Sequence, residues 1–294
     1  MKVFLTGATG YIGSTVAESL QTVGHQVIGL ARSEQAAQSL EAVGIEVVRG
    51  DLHQPLKWIE ALCQVDGVIH TAATKDEKMP NCDRIAVTEM LSALSGTGKA
   101  FIYTSGTWIL GNINSDVNEQ PPLNPIPLMA WRSEIEQQVL AAKERQVRSV
   151  VLRPGMVYGR GGGLVGQLVA GGRSNGVVQF VGTGDNHWAL VHVEDLARCY
   201  VKVIEQSPGG MVFNVVDECS LSLREIARLA SQAAGISGRI QGQSLEAARQ
   251  QIGLLADGLV LDQQLSNTHV RQILNWQPIA RSLLEELELK VEYI

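Results

Sequence analysis

An apolar run of one strand length, Lys2–Thr6, passes directly into Gly7-Ala8-Thr9-Gly10-Tyr11-Ile12-Gly13. Ile12, Val16 and Leu20 then recur at helical spacing. A buried strand that feeds a helix through closely spaced glycines leaves few folds open. The glycines let backbone N–H groups approach an anion, and the helix N-terminus favours its negative charge. Gly13 lets the helix pack closely on the strand. The turn therefore suits the pyrophosphate of a dinucleotide. Gly7, Thr9, Gly10, Tyr11, Ile12 and Gly13 are its candidate binding residues.

The same rhythm continues. Gln26–Ala31 reads as a strand and Ser33–Val43 as a helix opening on a serine cap. Glu46–Arg49 and Gly67–His70 read as strands, with a short helix at Pro55–Leu62 between them. Residues 81–95 read as a helix with Ile85, Met90, Leu91 and Leu94 inward; Ala100–Thr104 is a strand. Residues 128–145 read as one long helix and Ser149–Arg153 as a sixth strand. Short apolar strands separated by helices mean a parallel sheet covered on both faces. Right-handed crossovers make it doubly wound.

After Pro154 the pattern loosens, with a glycine-rich stretch over 159–176 and His187 in a loop. Val177–Val181 and Met211–Val216 read as strands; Val193–Glu205, 222–235, 244–252 and 266–275 read as helices. The expected fold class is α/β: a Rossmann-type doubly wound parallel sheet with a smaller C-terminal substrate lobe. Residues 1–155 form the nucleotide-binding domain, its last strands drawn from within 189–217. Residues 156–294 form mainly the substrate lobe, interleaved with the sheet.

The net charge of −6, with no basic cluster, argues against nucleic acid or an anionic membrane as partner. No apolar stretch approaches the ~20 residues that span a bilayer. The early apolar run ends in glycine with no cleavage signal after it, so a cytoplasmic location is expected. Cys63, Cys82, Cys199 and Cys219 show no metal-ligand spacing. They are expected to be free thiols, buried or half-buried, and no metal site is expected.

The end of the second strand bears on the cofactor. An acid there bonds the ribose 2′-hydroxyl of NAD, whereas an arginine suits the 2′-phosphate of NADP. The chain has Leu30-Ala31-Arg32-Ser33. A guanidinium pairs bidentately with phosphate and Ser33 adds a hydroxyl, so NADP is favoured over NAD. Gly50-Asp51-Leu52 follows the third strand. Asp51 is placed either to accept the adenine amino group, with Leu52 on the ring, or simply to cap a helix.

These motifs occur in order with His70-Thr71-Ala72-Ala73, Tyr103-Thr104-Ser105-Gly106, Arg153-Pro154-Gly155-Met156-Val157-Tyr158-Gly159 and Val191-His192-Val193-Glu194-Asp195-Leu196-Ala197. Ser266-Asn267 and Trp276-Gln277-Pro278 follow near the end. Together they resemble the short-chain dehydrogenase/reductase superfamily, in its extended epimerase/dehydratase branch. The resemblance implies that Thr71, Ala72, Ala73 and Thr104 lie along the cofactor, and Pro154, Gly155 and Val157 by the nicotinamide. It also implies a small-molecule substrate; the branch often dimerises through the helices that correspond to 81–95 and 128–145, which leaves monomer and homodimer both open.

The branch uses a Tyr and, four residues later, a Lys on the helix after the fifth strand, with a Ser or Thr just past that strand. Matching Glu136 and the residues after it places Leu128 at the Tyr position, Arg132 at the Lys position and Gly106 at the Ser/Thr position. A slip of one residue substitutes Met129 and Ser133, again without a Tyr. The resemblance is thus to an atypical member. Arg132 can bond ribose hydroxyls or anchor a substrate carbonyl or carboxylate, or it pairs with Glu136 one turn on. Tyr158, Thr107 and His187 are the other candidate catalytic groups. The leading reading is an NADP-dependent oxidoreductase that moves hydride to or from a carbonyl, imine or activated alkene. The alternatives are a non-catalytic NADP-binding regulator or assembly protein, and an NAD(P)-dependent epimerase, isomerase or lyase.

Overall fold

The central strands are apolar on both faces, and this sets the layering. In β1 (Lys2–Thr6), Val3 and Leu5 enter one core and Phe4 another, all three fully buried. Ile69 and Val68 divide in the same way, as do Ile102 and Phe101. Such strands need helices on both sides. The computed structural model describes residues 1–74, 76–114, 122–217 and 220–289.

The first half runs β1, α1 (Tyr11–Thr22), β2 (Gln26–Ala31), α2 (Glu34–Glu41), β3 (Glu46–Arg49), β4 (Gly67–His70), α3 (Met79–Leu94), β5 (Ala100–Thr104), β6 (Ile113–Asn114), α4 (Arg132–Ala141) and β7 (Arg148–Pro154). There follow β8 (Met156–Tyr158), α5 (Gly163–Asn175), β9 (Val178–Val181), β10 (His187–His192), α6 (Val193–Gln206) and β11 (Met211–Val215). Further on lie β12 (Ser220–Ser222), α7 (Leu223–Ala233), β13 (Ile240–Gln243) and β14 (Gln263–Gln264).

Seven strands make one parallel sheet in the order β3-β2-β1-β4-β5-β7-β11. Side chains of α1, α2 and α6 share a core on one face; those of α3 and α4 share a core on the other. The order reverses between β1 and β4, so a crevice opens there beyond the carboxyl ends of the strands. The strands β8, β10 and β12 form a small second sheet, β9 pairs with β13, and β6 pairs with β14. Val165 and Val169 of α5, Ile226 and Ala230 of α7, and Trp188 share a third core in this lobe.

Several local expectations are corrected. The stretch 128–145 is a 3-10 turn at Pro127–Met129, then α4, then a 3-10 turn at Ala142–Arg145. The expected helix at Pro55–Leu62 is two 3-10 turns, Pro55–Lys57 and Ile59–Gln64. The glycine-rich stretch contains α5, because its glycines serve packing as well as turns: a Cβ at Gly172 would lie 2.8 Å from Val178. His187 opens strand β10 instead of sitting in a loop. Ile85 is exposed, because the buried face of α3 runs through Cys82, Asp83, Ala86, Val87 and Met90. Cys63 is exposed, Cys82 and Cys199 are buried, and Cys219 lies outside the described residues.

Candidate active site

The crevice has a wider and a narrower half. The wider, of about 510 Å³, is lined by Gly7, Thr9, Arg32, Ser33, Asp51 and Ala72 among others. Its floor is the glycine turn. Gly7 has φ +77°, and a Cβ there would lie 2.7 Å from the Ala72 nitrogen. A Cβ at Gly13 would lie 2.1 Å from the Gly7 carbonyl oxygen. Both positions therefore exclude a side chain. Gly10 caps α1 without a side-chain hydrogen bond, so the first N–H groups of the helix are left for an anion. Tyr11 turns away and donates to the Gly159 carbonyl at 2.8 Å, tying the turn to the second lobe. Burial, with the nearby charge of Glu286, raises the Tyr11 phenol well above its ordinary range. Thr71 donates to the Thr6 carbonyl at 2.8 Å and braces the turn from below.

Arg32 is exposed at the rim and makes no hydrogen bond or ion pair among the described residues. The neighbouring Arg49, by contrast, pairs with Glu34 at 2.8 Å. The Ser33 oxygen caps α2 by accepting from the Ala36 nitrogen at 3.2 Å, and its own proton stays available. Asp51 caps no helix, since the 3-10 turn that follows opens on Gln54 without a side-chain cap. One oxygen accepts from the His53 nitrogen at 2.9 Å, and the residue also lines the cleft with Leu52, Ala73 and Thr74. Trp58, stacked on Phe4 at 5.5 Å, donates to the Asp51 carbonyl and holds that loop down. These residues fit a nicotinamide dinucleotide. The glycine turn would hold the pyrophosphate, and Asp51 and Leu52 the adenine, with Arg32 and Ser33 beside the adenosine ribose.

The narrower half, of about 230 Å³, is lined by Ile12, Thr104, Thr107, Trp108, Arg132 and Pro154 among others. Gly155 and Val157 also line it, as do Ser105 and Met129. Arg132 is its one charged lining residue among the described residues. It does not pair with Glu136. Glu136 is buried and binds the buried Arg153 through Nη2 at 2.5 Å and through Nε. Instead Arg132 Nη1 donates to the Tyr103 hydroxyl and to the Thr104 carbonyl, each at 2.9 Å. Its guanidinium also lies 4.6 Å from the centre of the Trp131 ring. Thr104 Oγ1 is 2.5 Å from the Tyr200 hydroxyl, so that side chain is held against α6. Leu128 lies on the 3-10 turn before α4, and its carbonyl accepts from the Trp131 indole at 3.0 Å.

Two candidate catalytic groups lie elsewhere. The Tyr158 hydroxyl is 3.1 Å from Asp217 Oδ2 and 3.0 Å from the Arg281 carbonyl, and its ring packs edge-on against His192. That environment belongs to the second lobe. His187 Nδ1 lies 2.9 Å from Asp262, and His187 is not among the lining residues of either half. Sequence reasoning missed Ser105. Its hydroxyl is buried without a hydrogen-bond partner among the described residues, on a residue that lines the narrower half. It missed Asp83 too, although an acid in an apolar helical stripe was a visible signal.

Comparison with known proteins agrees with this geometry. The model of the NAD dependent epimerase/dehydratase family matches residues 3–215. The chain belongs to that family. It is 33% identical over 295 residues to the Saccharomyces cerevisiae uncharacterized protein YLL056C, with 98% of each chain covered. It is 29% identical over 242 residues to a sterol-4-alpha-carboxylate 3-dehydrogenase, decarboxylating, of Dictyostelium discoideum, covering 76% of this chain and 73% of that one. In fold it is similar to dTDP-glucose 4,6-dehydratase from Bacillus anthracis in complex with NAD. There the TM-score is 0.84 and the identity 16%, with 100% of this chain and 96% of that one covered. Membership places the chain among NAD(P)-dependent enzymes of oxidoreductase type with a Rossmann fold, in the extended short-chain dehydrogenase/reductase branch. No helix among the described residues is long and apolar enough to cross a membrane.

Proposed function

We propose that the protein is an NADP-dependent oxidoreductase that moves hydride between the cofactor and a carbonyl, imine or activated alkene of a small organic molecule. The observation that carries this is Arg132, among the described residues the one charged side chain that lines this half of the cleft, beside the residues expected to flank the nicotinamide. Bound reduced nicotinamide supplies the hydride. Arg132 supplies fixed N–H donors for the negative charge that develops on a substrate oxygen, in a setting where such donors need not reorganise. It gives up no proton at neutral pH. Tyr103 cannot act as the acid either, since it is fully buried and its hydroxyl is pushed well above its ordinary range, chiefly by burial. The proton that completes the alcohol or amine comes from solvent water. Orientation of the two reactants provides much of the rate effect without a strong acid.

The preference for NADP rests on Arg32, which faces the wider half with no protein partner among the described residues. The dehydrogenase relative supports hydride transfer as the reaction class. The test is a titration of the purified protein with NADPH and NADH, then incubation with carbonyl, imine and enone panels while reduced-nicotinamide absorbance is followed. NADPH is expected to bind at least about tenfold tighter than NADH, as one charge-assisted phosphate contact allows, and to be consumed with at least one panel member. Tight binding with no turnover on any panel member returns the protein to the class of cofactor-binding regulators.

A further inference from the structure

Arg132 is held from behind by a line of buried polar side chains that crosses the sheet. Thr6 Oγ1 lies 2.7 Å from His70 Nδ1, and His70 Nε2 lies 2.8 Å from Asp83 Oδ1. Tyr103 donates to Asp83 Oδ2 at 2.6 Å and accepts from Arg132 Nη1 at 2.9 Å. None of Thr6, His70, Asp83 and Tyr103 lines either half of the cleft. The line begins in the strand that ends at the glycine turn and reaches the narrower half only at Arg132.

A carboxylate in an apolar helix face is costly unless its hydrogen bonds are complete. Asp83 is 5% exposed, among Cys82, Ala86 and Val87. Burial pushes its carboxyl up. The hydrogen bond and charge of His70, the charge of Arg132 and the hydrogen bond from Tyr103 outweigh this, so it stays below the ordinary carboxylate range. An ionised carboxylate only accepts, so the Tyr103 proton must point at Asp83. The phenol lone pairs are then turned to Arg132, which only donates. The acid thus fixes the polarity of the line from His70 Nε2 to Arg132. Arg132 Nη1 is spent on the sheet side, and Nη2 and Nε have no hydrogen-bond partner among the described residues.

We infer that Asp83 and Tyr103 are positioning residues, which act only through Arg132 and aim its remaining N–H groups into the narrower half, at the nicotinamide riboside of the cofactor and the substrate oxygen beside it. This rests on the placement of Arg132 in the function proposed above.

The test compares two probes on the full chain: NADPH, which reaches both halves of the cleft, and adenosine 2′,5′-bisphosphate, which reaches only the wider half. Asp83→Asn, Tyr103→Phe and Arg132→Gln are each expected to weaken NADPH about tenfold, the loss of one charge-assisted contact. The bisphosphate affinity is expected to change less than about twofold in all three, which also reports a folded wider half. The double variant Asp83→Asn/Arg132→Gln is expected to bind NADPH no more weakly than Arg132→Gln alone, because residues acting through one group are not additive. Losses that multiply in the double variant would overturn the inference. So would a parallel loss of bisphosphate affinity, which marks a structural role, or unchanged NADPH binding in both Asp83→Asn and Tyr103→Phe. If the wild-type protein ignores the 2′-phosphate, the NADP reading fails separately. The same cycle read with NADH against AMP then decides on Asp83 and Tyr103 by the same criteria.

Discussion

The two halves of the cleft are built by different means. The wider half is assembled from strand ends: Gly7 after β1, Arg32 and Ser33 after β2, Asp51 after β3 and Ala72 after β4. Once the sheet is wound, these positions follow from topology, and backbone groups provide much of the surface. The narrower half takes Arg132 from α4, Trp108 from the turn at Thr107–Leu110 and Leu164 from α5. Their placement depends on packing between elements far apart in the chain. Anchorage of a dinucleotide can therefore persist while the chemistry beside it changes. Here Arg132 is tied through Tyr103 to the buried Asp83.

Gly13→Val attacks the wider half where it is most rigid. Its side chain would meet the Gly7 carbonyl, so turn and helix must part. Stability is expected to fall by about 3 kcal/mol or more, and NADPH affinity at least about 100-fold. Denaturant melts and a fluorescence titration measure both, and ordinary affinity would mean that the half is not built on this turn. Glu136→Ala attacks the frame behind the narrower half. It removes the buried carboxylate that pairs with Arg153, which is expected to cost about 3–5 kcal/mol. The folded fraction should keep its affinity for adenosine 2′,5′-bisphosphate, and a joint loss would show that the two halves are one mechanical unit.

A smaller effect is expected at Arg32. Arg32→Ala should weaken NADPH by about 10- to 100-fold and NADH by about twofold at most. Calorimetric titration of both cofactors gives the ratio. An equal loss for the two would place Arg32 outside the phosphate site and leave the wider half without a basis for choosing NADP.

The same contrast governs what could be read from the chain alone. The parallel doubly wound sheet was legible, because two-faced apolar strands and glycine spacing are local signals. The residues lining the wider half were legible for the same reason. Arg132 was found by its offset from Glu136, and of the alternatives left open for it the pairing with Glu136 does not hold. One helical turn makes Glu136 a neighbour, while the fold turns Glu136 inward to Arg153 and gives Arg132 to Tyr103. Nothing local announces a bond between a strand residue and a helix residue 29 positions apart. Helix α5 was missed because glycines that admit close packing look like glycines that break a helix.

Tyr158 gives the finest test, since the sequence offers it to the chemistry and the geometry offers it to the frame. Its hydroxyl faces Asp217 and the Arg281 carbonyl, and a tyrosine held by such acceptors has no free proton for a substrate on the other side. Tyr158→Phe removes only that oxygen. The expected loss is about 1 kcal/mol of stability, the usual worth of one hydrogen bond, with turnover on any active panel member unchanged within about twofold. A fall in turnover of about 100-fold or more, in the range of a lost general acid, with stability intact would move the proton donor to β8. The division drawn here would then have to shift, with the second lobe supplying chemistry and not only a wall.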